Sequence, residues 1–362
     1  MEPAPLLTGN HTNRDASFQF QDEITTKVPS AEPPSKNGVK KILIFFITGN
    51  PALIEYYRPF LDYLCSQLHE ISPRPYETHI HGQSLPGFEI APDANPYRHL
   101  SSKQPNDLEA QIAFTLSALQ TATQTLSSTS TPPAEPSVIL IGHSVGAYIA
   151  LELLQRQAAR GARVPIAAAI ALFPTIVDIA SSANGAAFTA LTALPFAVPA
   201  AAAAARLLAA VLPGAWLAAV VRRVTGMERR GAAVTAAWMG AACGVRAALV
   251  MAKDEMRVIG ADCWGPEVWG MEAEEDCGAV QKPHRLFFYF GAEDPWVSAA
   301  ARDGIIAARG SRAMESNDAR APVMEVDANG VPHGFCVREE HSRIVAAKVA
   351  QYIMDVMRLW EK

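Results

Sequence analysis

Residues 137–154 read SVILIGHSVGAYIALELL. Ser137–Ile141 is a short, almost wholly apolar run rich in β-branched residues, the composition of a strand buried on both faces. The chain then turns sharply over Gly142–Gly146. Ala147–Ala159 continues with apolar residues at helical spacing. Gly142-His143-Ser144-Val145-Gly146 fits the pattern G-x-S-x-G. On its own this pattern recurs by chance, but here it joins a strand to a helix, which is the context its chemistry requires. A serine held in a strained strand-to-helix turn brings neighbouring backbone very close, and Gly142 and Gly146, lacking Cβ, leave the room. The turn is expected to lift the Ser144 hydroxyl above the sheet edge and to aim the first amides of the helix at the group it attacks.

The same rhythm continues outward in both directions. Lys41–Thr48 (KILIFFIT) is a continuous apolar run of strand length that ends in the turn signal Gly49-Asn50-Pro51, and residues 54–70 follow with helical spacing. Tyr76–Ile80 reads as a short strand and Pro105–Leu126 as a helix. Beyond the central turn come strands at Ile166–Phe173, Arg285–Phe290 and Pro322–Val326, and helices at Ser298–Ala308 and 336–361. Alternation of this kind predicts a mainly parallel sheet flanked by helices, and with G-x-S-x-G at a strand end it predicts the α/β-hydrolase fold. The expected organisation is a mostly disordered arm over 1–37, in which Ala16–Val28 alternates weakly enough to add an edge strand. A core formed by 38–174 and 283–362 follows, with a helical apolar insertion, 175–282, over the sheet's C-terminal edge.

A hydroxyl needs a base, and in this fold the order is Ser, acid, His, each on a loop after a strand. His333 fits the base, in Asn329-Gly330-Val331-Pro332-His333-Gly334-Phe335, because a Gly- and Pro-rich loop can carry an imidazole over the sheet edge. His341 is the rival but falls in a helical pattern, and His143 reads as packing or polarity at the turn. The acid is expected at Asp294, in Gly291-Ala292-Glu293-Asp294-Pro295-Trp296, with Asp178 as the alternative and Glu293 pointing elsewhere. Two backbone amides are expected to form the oxyanion hole. One is that of Val145; the other is that of Asn50 in the first loop, since Pro51 has no amide hydrogen. A serine rather than an aspartate at this turn implies acyl transfer through a covalent acyl-enzyme.

Composition narrows the partners. The chain has 362 residues, 49% of them hydrophobic, and a formal net charge of −5. No long basic stripe points to a nucleic acid. Five widely spaced cysteines, Cys65, Cys243, Cys263, Cys277 and Cys336, form no C-x-x-C and read as free thiols in a reducing compartment rather than disulfides or a zinc site. The N-terminus carries no basic segment followed by an apolar one, so an intracellular protein is expected.

Residues 186–221 read AAFTALTALPFAVPAAAAAARLLAAVLPGAWLAAVV, with Arg206 alone charged and Arg222, Arg223, Arg229 and Arg230 close behind. A membrane-spanning helix, a lid buried in a soluble enzyme, and a hairpin lying in a phospholipid monolayer all fit the composition. Pro195, Pro199 and Pro213 interrupt the first. On the third, Phe188, Phe196 and Trp216 insert while the arginines reach headgroups.

Together these segments resemble the lipid droplet-associated hydrolase family over most of residues 40–360. The likeness rests on Ile47-Thr48-Gly49-Asn50-Pro51 with Tyr56-Tyr57-Arg58-Pro59-Phe60, on Gly142–Tyr148, on Leu172-Phe173-Pro174-Thr175-Ile176 with Asn184-Gly185, and on the Asp294 and His333 loops. Members usually read Pro-Gly-Asn-Pro-Gly where this chain has Thr48-Gly49-Asn50-Pro51-Ala52. The resemblance implies a serine esterase or lipase-like protein at lipid droplets and the cytosolic face of the endoplasmic reticulum. It also implies neutral lipid esters, sterol esters among them, as substrates, and a segment after Phe173 that helps target the droplet. Acyl chemistry of this kind calls for no metal or organic cofactor. Three functions stay open at this point: an ester hydrolase working on a lipid surface, a droplet-binding protein with a slow or idle triad, and a soluble small-molecule carboxylesterase with an ordinary lid.

Overall fold

The computed structural model of the chain describes residues 18–29, 40–71, 76–90, 106–129, 135–159, 164–269, 284–310 and 321–360. The strands are β1 (Glu23–Lys27), β2 (Lys40–Ile47), β3 (Tyr76–Gln83), β4 (Ser137–His143), β5 (Ile166–Leu172), β6 (Arg285–Phe290) and β7 (Val323–Val326). They form one seven-stranded sheet in the order β1-β3-β2-β4-β5-β6-β7. β1 runs antiparallel to β3, and every other pair is parallel. In β2 every residue from Ile42 to Ile47 is buried, as is every residue of β4 from Val138 to His143. That is why these runs are apolar throughout rather than alternating: helices cover both faces. Residues 1–17 and 30–37 of the expected arm lie outside the described residues, while Glu23–Lys27 within it forms the edge strand β1.

The flanking helices are α1 (Arg58–Ile71), α2 (Leu108–Ser128) and α3 (Val145–Ala159). Helix α1 is preceded by a tight 3-10 turn over Ile54–Tyr57, and Asp107 caps α2 by accepting from the Ala110 amide at 2.8 Å. Strand order reverses at β2: the chain leaves it outward to β3 and later returns on its other side to β4. In such sheets the crevice beyond the carboxyl ends of the strands at that switch point is the natural binding site. Register makes the strand ends level there. Ile47 lies beside Gly142, His143 beside Leu172, Leu172 beside Tyr289, and Phe290 beside Val326. The loops after β2, β4, β6 and β7 therefore gather at one edge.

The stretch 175–282 contains no strand among the described residues. Its described part holds a 3-10 turn (Ile179–Ser181) and then α4 (Ala183–Thr192), α5 (Ala197–Val211), α6 (Gly214–Thr225), α7 (Arg229–Gly240), α8 (Gly244–Val258) and the short α9 (Pro266–Trp269). The chain bends by 96° between α4 and α5 and by 93° between α7 and α8, and no single helix among the described residues is long and apolar enough to cross a membrane. Polar links tie the insertion to the core. Arg230 pairs with the buried Glu55 carboxylate. The hydroxyls of Tyr56 and Thr235 lie 2.7 Å apart, and the Leu108 amide donates to Asp254 at 2.9 Å. The core closes with α10 (Ala299–Ile305) and α11 (Glu339–Leu359), and α11 packs along α1.

Candidate active site

Ser144 sits at the end of β4 with φ +55°, a backbone conformation that L-residues seldom adopt and that the turn around it imposes. A Cβ on Gly142 would stand 2.3 Å from the Gly146 carbonyl oxygen, and one on Gly146 would stand 2.4 Å from the Ile47 oxygen, so both positions require glycine. The Ser144 amide donates to the Leu172 carbonyl at 2.9 Å, and the Ala147 amide donates back to the Ser144 carbonyl at 2.9 Å. The turn is thus fixed between β5 and the first turn of α3.

The β7–α11 loop brings His333 over this serine. Its shape is set by Asp327, which was not singled out in the sequence. The carboxylate accepts from the Tyr289 hydroxyl and from the amides of Asn329 (3.0 Å) and Val331 (2.7 Å). The last two are the bonds of a loop wound around one side chain. His333 Nε2 lies 3.0 Å from Ser144 Oγ, and its Nδ1 lies 2.7 Å from Asp294 Oδ2. A carboxylate only accepts, so Nδ1 carries the proton and Nε2 is left to accept from the Ser144 hydroxyl. The other Asp294 oxygen accepts from the Trp296 amide at 2.8 Å, which locks the carboxylate's rotation. Glu293 next to it is exposed. Asp178 begins a 3-10 turn in the insertion and gives its amide to Gly260. His341 lies in the first turn of α11. The structure therefore brings together Ser144, His333 and Asp294 and leaves Asp178 and His341 elsewhere.

The first loop lies directly against the nucleophile: a Cβ on Gly49 would stand 3.0 Å from Ser144 Cβ and 2.8 Å from His143 Nδ1. The Gly49 amide is committed to the Tyr57 hydroxyl at 2.9 Å, and Pro51 has none. Neither the Asn50 amide between them nor the amide of Val145 has an acceptor among the described residues. The Asn50 side chain points the other way, donating to the Ala248 carbonyl (3.0 Å) and to Glu255 (2.8 Å) of α8. Helix α8 of the insertion thereby holds the loop in place.

His143, read from the sequence as packing or polarity, is buried between that loop and the His333 loop. Its Nδ1 lies 2.7 Å from the Tyr57 hydroxyl and its Nε2 2.9 Å from the His333 carbonyl oxygen. Burial, with the neighbouring His333 adding to it, holds its pKa well below the ordinary histidine range. Phe173 and Phe335 set their rings against both histidines or one of them, with centroids at 5.1–6.1 Å. Both rings are fully buried and form an apolar wall behind the histidines. No group of three or more His, Cys, Asp or Glu side chains fit to hold a metal ion occurs among the described residues. Cys65, Cys243, Cys263 and Cys336 form no disulfide there, and Cys277 lies outside the described residues.

The insertion presents a different surface. Phe196 is 80% exposed, Val224 78% and Trp216 70%, and Leu191, Leu194, Leu207 and Val211 are exposed beside them in sequence, whereas Phe188 is half-buried. Arg206, Arg222 and Arg223 are exposed along the same helices, and Arg229 is exposed at the start of α7.

A family model described as lipid-droplet associated hydrolase matches residues 40–336. Curated relatives include the lipid droplet-associated hydrolase of Pongo abelii, 32% identical over 146 residues that make up 40% of this chain and 41% of that protein. That of Homo sapiens is 31% identical over 146 residues with the same shares. The match thus spans less than half the length of either relative. Among solved structures, the type II thioesterase BorB from the borrelidin biosynthetic cluster superposes with a TM-score of 0.43 at 15% identity, covering 90% of this chain and 94% of that one.

Proposed function

The chain belongs to the lipid-droplet associated hydrolase family, and we propose that it is a hydrolase that cleaves the carboxylic esters of lipids. Neutral lipids such as sterol esters fit this reading, met at the surface of lipid droplets and of the endoplasmic reticulum on its cytosolic side. The observation that carries the reading is the hydrogen-bonded chain from Ser144 Oγ through His333 to Asp294. In this mechanism His333 Nε2 takes the hydroxyl proton as Ser144 Oγ attacks the ester carbonyl. Asp294 stabilises the imidazolium that forms, and the amides of Val145 and Asn50 receive the negative charge on the former carbonyl oxygen. The imidazolium then protonates the departing alcohol, and a water activated by His333 releases the acid from the acyl-enzyme. No cofactor enters any step.

The location rests on the exposed apolar surface of α4–α6. Soluble monomers seldom leave so many large apolar side chains in water, and arginines flank these. A phospholipid monolayer takes up such a face, the rings entering the acyl region and the guanidinium groups staying with the headgroups. The same surface favours a second reading, a droplet-binding protein whose triad is idle. One experiment separates them. A fluorophosphonate probe is expected to label the wild type and not Ser144→Ala, and only the wild type is expected to release fatty acid from esters in phospholipid-coated droplets. A folded wild-type protein that takes no label and releases no acid, while still binding droplets, would establish the second reading and end the first.

A further inference from the structure

We infer that His143 and Tyr57 are positioning residues for acylation of Ser144, a fixed link that sets the distance between the loop carrying His333 and the loop offering the Asn50 amide. The inference rests on the triad reading above. Its basis is a directional chain of hydrogen bonds between buried groups. The His333 carbonyl oxygen can only accept, so His143 Nε2, 2.9 Å away, must carry a hydrogen. A neutral ring then has a lone pair at Nδ1, which accepts from the Tyr57 hydroxyl at 2.7 Å. The Tyr57 oxygen in turn accepts from the Gly49 amide at 2.9 Å. Every donor in the chain meets an acceptor, and only one tautomer of His143 allows it.

The surroundings keep that state. Burial pushes the Tyr57 phenol well above its usual range, so it remains a donor, and burial likewise keeps His143 uncharged. A charged His143 would present a second N–H to the Tyr57 hydroxyl and place a positive charge 5.1 Å, ring to ring, from the imidazolium that must form on His333. The neutral ring avoids both. Because Gly49 directly precedes Asn50, and the His333 carbonyl belongs to the residue bearing the base, the link acts on both ends of the reaction at once. A displacement of about 1 Å at either end is of the size that costs about 100-fold in rate.

The alternative role for His143 is packing among Phe173, Phe335 and Tyr57, and the two roles respond differently to substitution. The probe reaction is labelling by a fluorophosphonate, in which the Oγ–P bond forms, fluoride leaves and the hydroxyl proton passes to His333. Its rate constant does not depend on what fraction of the molecules is folded, whereas its amplitude does. Tyr57→Phe and His143→Phe keep the rings and delete the link. Each is expected to slow labelling about 10- to 100-fold and to lower kcat on a soluble p-nitrophenyl ester with KM within about twofold. His143→Gln, whose side-chain amide can still donate to the His333 carbonyl, is expected to regain most of the rate. If both Phe variants label at the wild-type rate, whatever their amplitudes, the residues only pack and the inference is overturned. If the folded wild type is not labelled at all, it is the triad reading that fails.

Discussion

At the scale of one residue, Asp294 has each carboxylate oxygen assigned, and the assignment decides what an amide would do there. Oδ1 accepts from the Trp296 amide and Oδ2 from His333 Nδ1. In Asp294→Asn the carbonyl oxygen stays with Trp296, because that backbone N–H needs an acceptor. The new N–H2 then faces His333 Nδ1 and forces it to accept. The proton moves to Nε2, which can no longer take one from Ser144. Acylation is expected to fall by about 10³- to 10⁴-fold, the scale of loss when a triad histidine is held in the wrong tautomer. The melting temperature should change little; labelling kinetics and calorimetry check the two halves. An undiminished rate would remove Asp294 from the mechanism. Residues of this kind were legible because each is announced by its neighbours: Ser144 by flanking glycines, Asp294 and His333 by loops after strands. Tyr57 and His143 were not, since their partners lie 86 and 190 residues apart along the chain and their spacing carries no trace of it. Asp327 was missed for a related reason. Its work is done by local amides, and an Asp after a strand looks like any turn residue.

At the scale of elements, α8 offers a prediction set by Glu255, a fully buried carboxyl that accepts from the Asn50 side chain. Burial, aided by the neighbouring Asp254, pushes its pKa up to about 8 against the pull of the Asn50 hydrogen bond. The folded protein therefore keeps a proton that the unfolded chain releases near its ordinary value of about 4.3. Between those two values the native state binds more protons, so Glu255 makes stability fall as pH rises, with its contribution spent above about 8. Glu255→Gln keeps an acceptor for Asn50 and is expected to flatten the decline in melting temperature between about pH 5 and 8. An unchanged slope would show that Glu255 ionises freely. The parallel strands β2, β4, β5 and β6 were readable because burial on both faces makes them apolar throughout. Tyr76–Ile80 read too short because β3 continues through His81, Gly82 and Gln83 with only alternate residues buried, a pattern in which polar residues hide a strand. The hold of α8 on the first loop had no signal, because Asn50 and Glu255 lie 205 residues apart along the chain and no motif links them.

At the scale of the whole molecule, two features are held in one body: the triad where strand ends converge, and an apolar face on helices that follow β5 at the same edge. The insertion was legible as apolar and helical, but composition could not say which residues the core would claim. The fold claims half of Phe188 and leaves Phe196, Trp216 and Val224 outside. That division makes a quantitative test. Moving a large apolar side chain out of water contributes about 1.5–3 kcal/mol, so the double variant Phe196→Ser, Trp216→Ser should lose about 3 kcal/mol or more of affinity for phospholipid-coated droplets. A loss of that size is about 100-fold or more in the partition coefficient. Ser144 should be labelled by a soluble probe at a rate within about twofold of wild type, because neither side chain supports the catalytic loops. Flotation of the variant with droplets at the wild-type partition coefficient would mean that the exposed rings face something other than lipid. Hydrolysis of droplet esters should fall in step with binding. If binding were lost and droplet hydrolysis kept, the protein would be drawing its substrate from solution, and the apolar face would be separate from the proposed chemistry.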